Sequence, residues 1–285
     1  MNDGNTVVRG RTWPGRIVAS VATAAALLGG CTSADDDKAA GPSASAPSRS
    51  ATAAPGSPTA APSASPSGGD AFSALFRADP AKVPRKKSRG EALAAAVALE
   101  PHEWGANFRA QRPAASTQGT FAVLDEQCRW ERRTLPRGVL ASLSRYSEIP
   151  AAGKKGELKV SAAVTVHTTV RGADERLAST LEEPLRCRQQ QVRTDERITG
   201  LMSAATPYGQ GSNTYADDQV MEMGKYLTGN SEQTYRWYVT RIGTVTLAVS
   251  IKGAKGYSDD ELNNYASHAN VTMLDRVKFE LGGDS

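Results

Sequence analysis

From Ala39 to Gly69 the chain consists of Ala, Ser, Pro, Thr and Gly apart from one charged residue, Arg49. A stretch so poor in large apolar side chains buries too little surface to offset the entropy of ordering it. Its six prolines favour extended polyproline II backbone. The chain is thereby divided into a leader of 30 residues, a disordered Ala/Ser/Pro-rich tether over 31–87, and one domain over 88–285. The last of these is long enough to build a hydrophobic core of its own.

The leader has its own pattern. Arg9, Arg11 and Arg16 precede an apolar run, Ile17–Leu28, which suits the charged and apolar regions of a signal peptide. It is too short to span a bilayer, which needs about 20 apolar residues. Leu28-Gly29-Gly30-Cys31 resembles the lipobox of bacterial lipoproteins. That resemblance implies cleavage after Gly30 and a diacylglycerol on the Cys31 thiol, so that the protein is held on the outer face of the cytoplasmic membrane. With Cys31 so used, Cys128 and Cys187 remain, and a pair of thiols in an exported protein reads as one disulfide. Zinc would require more ligands than the two supply. Closing a loop of this size stabilises a fold by roughly 4 kcal/mol.

Charge argues against nucleic acid. The net charge of +4 comes from the leader and from residues 70–116, whereas acidic and basic side chains balance from 117 to the end. A nucleic-acid-binding domain shows clustered Lys and Arg on a basic fold. Pro84-Arg85-Lys86-Lys87-Ser88-Arg89 is the one dense basic run. It reads as the solvated end of the tether, with contact to an anionic wall polymer or lipid headgroup as the alternative.

Within the domain, Leu158, Val160, Ala162, Val164 and Val166 alternate with Lys159, Ser161, Ala163, Thr165 and His167. Period two with one apolar face marks a half-buried strand, and Val139–Glu148 is its expected hairpin partner. Thr120–Leu124 and Cys128–Leu135 also suit strands. Tyr235–Val239 and Thr244–Ile251 flank a turn, with Val245, Leu247, Val249 and Ile251 on one face. Helices are expected after the capping-box spacing Ser88-Arg89-Gly90-Glu91, ending at Pro101; after Asp174, reaching about Glu183; and after Ser258-Asp259-Asp260-Glu261. The last carries Leu262, Tyr265, Ala266, Ala269, Met273 and Val277 as its apolar stripe. An antiparallel sheet flanked by helices, an α+β fold, follows.

Ala98-Leu99-Glu100-Pro101-His102-Glu103-Trp104-Gly105, Cys128-Arg129-Trp130, Leu185-Arg186-Cys187 and Arg241-Ile242-Gly243-Thr244-Val245 resemble the pattern of actinobacterial envelope lipoproteins. The PknH-type extracellular sensor domains and LpqN-type lipoproteins are the nearest in pattern. The resemblance covers about 90–281 and implies a Mog1p/PsbP-like sandwich with a binding or sensing role.

Chemistry-bearing motifs are sparse. His102, His167 and His268 lack the spacing of metal ligands, and no P-loop, G-x-S-x-G elbow or dinucleotide fingerprint is present. The adjacent acids Glu182-Glu183, Asp217-Asp218 and Asp259-Asp260 point apart on either a helix or a strand. Met221 and Met223 read as core filler. Tyr235 and Trp237, flanking Arg236, form the densest aromatic set and are the candidate ligand-binding residues; Trp237 or Trp104 would report on a ligand by fluorescence. No catalytic residue, metal or cofactor is expected. The reading is a non-enzymatic, membrane-anchored module for a wall component, lipid or envelope protein. The alternative is an envelope hydrolase or transferase with its site assembled from scattered residues.

Overall fold

The alternating run at 158–167 lies where a two-faced strand belongs, in the middle of a sheet. The computed structural model describes residues 76–206, 216–253 and 255–282, all within one compact unit. Cys31, the leader and the Ala/Ser/Pro stretch lie outside the described residues. In chain order come α1 (Lys87–Val97), α2 (Pro101–Trp104), β1 (Arg109–Ala115), β2 (Thr120–Leu124), β3 (Trp130–Thr134), β4 (Val139–Ile149) and β5 (Leu158–His167). There follow α3 (Val170–Arg186), β6 (Gln189–Arg193), β7 (Glu196–Thr206), β8 (Asp218–Thr228), β9 (Ser231–Ile242), β10 (Val245–Gly253) and α4 (Asp259–Leu281). Eight strands form one antiparallel sheet in the order β1-β4-β5-β10-β9-β8-β7-β6, and β2 pairs with β3 in a separate hairpin. With helices on both faces, this is the α+β fold expected.

One face carries the main core. The apolar sets of β5 and β10 are fully buried beneath α1 and α4, where Leu93 and Val97 meet Leu262, Ala269, Met273 and Val277. Each Val, Leu, Ile or Met among them contributes about 1.5–3 kcal/mol through burial. α4 starts at the expected capping box: Ser258 Oγ accepts from Glu261 N at 3.2 Å, and Ser258 N donates to Glu261 Oε2 at 2.8 Å. Tyr265 of the stripe is only half-buried, stacked edge-on against Phe108.

Several boundaries differ from expectation. Phe76 is buried in the core and Asp79 N donates to Leu281 O at 3.0 Å, so residues 76–87 fold with the domain and are not part of a loose tether. α1 begins at Lys87, with Lys86 as an N-cap that makes no side-chain bond; Ser88 lies inside the first turn and caps nothing. It ends at Val97, because Pro101 opens α2, whose box is Glu100 with Glu103. α3 is capped by Thr169, which accepts from Gly172 N at 3.0 Å. Asp174 lies inside that helix, facing Arg241. The helix runs past the expected end near Glu183 to Arg186, with Pro184 in its last turn and Cys187 as its C-cap. Met223 is exposed, and Met221 half-buried on the same face of β8; neither fills the core.

Candidate binding cleft

On the second face of the sheet, the part formed by β4, β5 and β10 is small and polar, whereas β8 and β9 carry Tyr235, Trp237, Val220 and Val239 there. Ser142 and Ser144 of β4, Ala163 and Thr165 of β5, and Thr246 and Ala248 of β10 lie side by side by register. Hydroxyls pair across the strands, Ser142 with Thr165 at 3.0 Å and Ser161 with Ser250 at 2.6 Å. No bulky side chain fills this floor. α3 covers one end of it, with Leu177 against Val220 and Val239, and the β2–β3 hairpin lies near β4 as a strap.

The strap is held at both ends. Its base continues directly into β1 and β4, where Ser116 N donates to Ser144 O at 2.8 Å. Its tip turns at Asp125, whose carboxylate accepts from Gln127 N and Arg129 N. Cys128 there adopts a left-handed φ of 61° and bonds to Cys187, with Cα atoms 5.5 Å apart. Around this disulfide, Arg186 donates to the carbonyls of Asp125 and Leu124, Gln191 N to Cys128 O, and Trp130 Nε1 to Gln190 Oε1 at 2.7 Å.

Beneath the strap is a cavity of about 60 Å³. Phe121 and Trp130 wall it on the strap side, Arg176 on the side of α3, and Trp237 on the sheet. Trp130 and Trp237 meet edge to face, centroids 5.6 Å apart. The Arg176 guanidinium lies 5.2 Å from the Phe121 ring centroid, a cation–π contact, and donates to Glu183 Oε1 at 2.9 Å. The space admits a few waters or one end of a small polar group, with hydroxyls below, aromatic edges beside it and one cation at the rim.

Behind Arg176 lies a buried acid pair. Glu222 of β8 accepts from Ser203 Oγ at 3.3 Å, and the second oxygens of Glu222 and Glu183 have no hydrogen-bond partner. Burial, and then the charge of Glu183, pushes the Glu222 carboxyl up to about 8, so it is neutral at pH 7. Burial, then Arg176, pushes His167 down to about 4. Its Nε2 lies 3.2 Å from Thr246 Oγ1.

Of the two candidate ligand residues, Trp237 faces the cleft and Tyr235 does not. Tyr235 is buried in a separate cluster with Ile198, Leu201 and Tyr226, supplied by strands unassigned from sequence. Trp104 is buried in the main core and cannot report on the cleft. His102 and His268 are exposed, the latter within 3.0 Å of Glu103 O. Glu182 and Glu183 do point apart, one outward and one inward. The inward one meets Glu222, from an element far along the chain, which adjacency cannot reveal. Phe121 and Arg176 were not singled out from sequence; Trp130 was legible only through its place beside Cys128. Among the described residues no three His, Cys, Asp or Glu side chains gather as for a metal ion, and no helix is long and apolar enough to cross a membrane.

No family model and no curated protein matches the chain. Among solved structures it is similar to the extracellular domain of PknH from Mycobacterium tuberculosis, with a TM-score of 0.40 and 11% identity, over 65% of this chain and 96% of that one. A likeness this distant transfers no ligand and no site.

Proposed function

We propose that the chain is an extracytoplasmic binding module, lipid-anchored through Cys31, that takes one end of a ligand beneath the strap and catalyses nothing by itself. The single observation that supports it is the cleft: a hydroxyl floor left free of bulky side chains, walled by Phe121, Trp130 and Trp237, with Arg176 at its rim. Polar groups converging in an aromatic-walled concavity are the general form of a ligand site. The hydroxyl edge at the end of a wall polymer's sugar is of the size and polarity that suits it best. The anchor is supported by the order of charge, apolar run, small residues and cysteine in the leader, and the exported address by the Cys128–Cys187 disulfide.

The test is a fluorescence titration of the full chain with oligosaccharides released from bacterial wall polymer. Saturable quenching that is lost in Trp237→Phe and weakened at least about tenfold in Arg176→Ala is the expected result, since removing a buried charged partner costs about 1.4 kcal/mol or more. Binding unchanged by both substitutions would place the ligand elsewhere. Turnover of the oligosaccharides by the purified chain would replace the binding role with an enzymatic one.

A further inference from the structure

The excess positive charge of the chain outside its leader is gathered into a built feature. Between the turn at 80–83 and the first turn of α1 lies an open bowl of about 480 Å³ lined by Lys82, Arg85, Lys86 and Arg89. All four are exposed, and no ion pair or side-chain hydrogen bond holds any of them among the described residues. The acids close by in sequence are engaged otherwise: Glu91 pairs with Lys87 at 3.7 Å, and the Asp79 carboxylate accepts from Ala81 N at 2.9 Å. Lys82 lies against Gly282 at the end of α4.

The bowl is rigidly mounted. Phe76 and the backbone of Asp79 fix the segment before it to the core and to Leu281. Buried Gly90 brings α1 so close to β4 that a Cβ there would lie 2.9 Å from Leu140 Cβ. Four cations held together with no ion pair among the described residues repel one another, and the fold keeps them so although it balances charge elsewhere.

We infer that this bowl docks the domain on the phosphate headgroups of an anionic membrane leaflet. The inference rests on the proposed lipid anchor for its setting: the bowl lies at the N-terminal end of the described fold, the end nearest Cys31 along the chain. A surface suits it better than a single bound phosphate. The four side chains are exposed and spread around an open rim, which matches a field of headgroups, and each Lys or Arg adds attraction that fades within a Debye length. Docking here would orient the domain on the membrane.

The experiment uses the full chain with vesicles of phosphatidylcholine alone or mixed with phosphatidylglycerol, and reads both flotation and the rate of amine acetylation at Lys82 and Lys86 by mass spectrometry. On the anionic vesicles at low salt, both lysines become about tenfold or more slower to acetylate than on neutral vesicles, and high salt abolishes the difference. Replacing Lys82, Arg85, Lys86 and Arg89 together by Ala removes the anionic-lipid component of flotation. Exchanging Lys for Arg and Arg for Lys at the same positions retains it, showing that charge and not packing carries the effect. Equal acetylation on both vesicle types overturns the inference. So does protection by soluble polyphosphate at matched phosphate concentration that equals or exceeds that of vesicles, which would make a free polyanion the partner. Flotation on neutral vesicles reports only the anchor, so failure of the Cys31 reading is seen separately from failure of the bowl.

Discussion

Glu222 holds a proton at neutral pH because it is buried next to Glu183, and one guanidinium, Arg176, cannot neutralise both. The unfolded chain releases that proton near the ordinary carboxylate value of 4.5, and the folded chain only near 8. Between these values folding takes up a proton, so this contribution to stability is complete at lower pH and is lost as pH rises towards 8. His167 acts in the opposite sense. Its folded value near 4 lies below its ordinary 6.5, so its contribution is present above 6.5 and lost as pH falls towards 4. Urea midpoints should therefore peak in the interval between, and Glu222→Gln should flatten the alkaline limb, gaining on the order of 2 kcal/mol near pH 8 relative to the unsubstituted chain. An unchanged slope would show that Glu222 is ionised in the fold. At this scale the sequence was half legible. Period-two alternation correctly put Tyr235 and Trp237 on one face, but whether each meets a cleft or a core depends on what is laid over it. Trp237 faces Trp130 of the strap; Tyr235 faces Leu201 and Ile198 of strands that carry no clear alternation.

Strong periodicity makes an element legible: β4, β5, β9, β10 and α4 lie within a few residues of expectation. Those missed have weak local signals. β1 contains Pro113, which argues against a central strand and is tolerated because β1 is an edge. The start of α1 differs from the capping-box spacing at Ser88 because Lys86, the N-cap, makes no side-chain bond and packing holds the helix. Gly90 carries that packing. Gly90→Ala should raise intrinsic helix propensity yet destabilise the fold by about 1–3 kcal/mol, since the new Cβ would press on Leu140. Chemical denaturation decides the sign. A stabilised variant would mean that α1 can lift from β4 without loss.

For the molecule as a whole, the two faces of the sheet divide the labour. The apolar face under α1 and α4 supplies the main core, and the β4–β5–β10 part of the other face leaves a cavity beneath the strap. That division was legible in the single run Leu158–His167; the strap over the hydroxyl face was not, because β2 and β3 reveal no partner beyond each other. Breaking the tie with Cys128→Ser and Cys187→Ser together should lower stability by roughly 3–4 kcal/mol and shift the Trp130 and Trp237 emission to the red as the strap tip leaves Cys187. A blue-shifted or unaltered spectrum would show the tip held by Arg186 and Gln190 alone.

The disulfide also has a mechanical meaning. Its two cysteines, 59 positions apart, make a covalent ring of β3, β4, β5 and α3. A chain pulled from its N-terminal side can pay out only the residues outside that ring. About 200 Å of contour length stays locked while the bond is oxidised, and with it the two sheet strands beside the β1 edge. Load applied at that end would strip the flanking segments and leave β4 and β5 within the closed ring, to be released by a reductant and not by force.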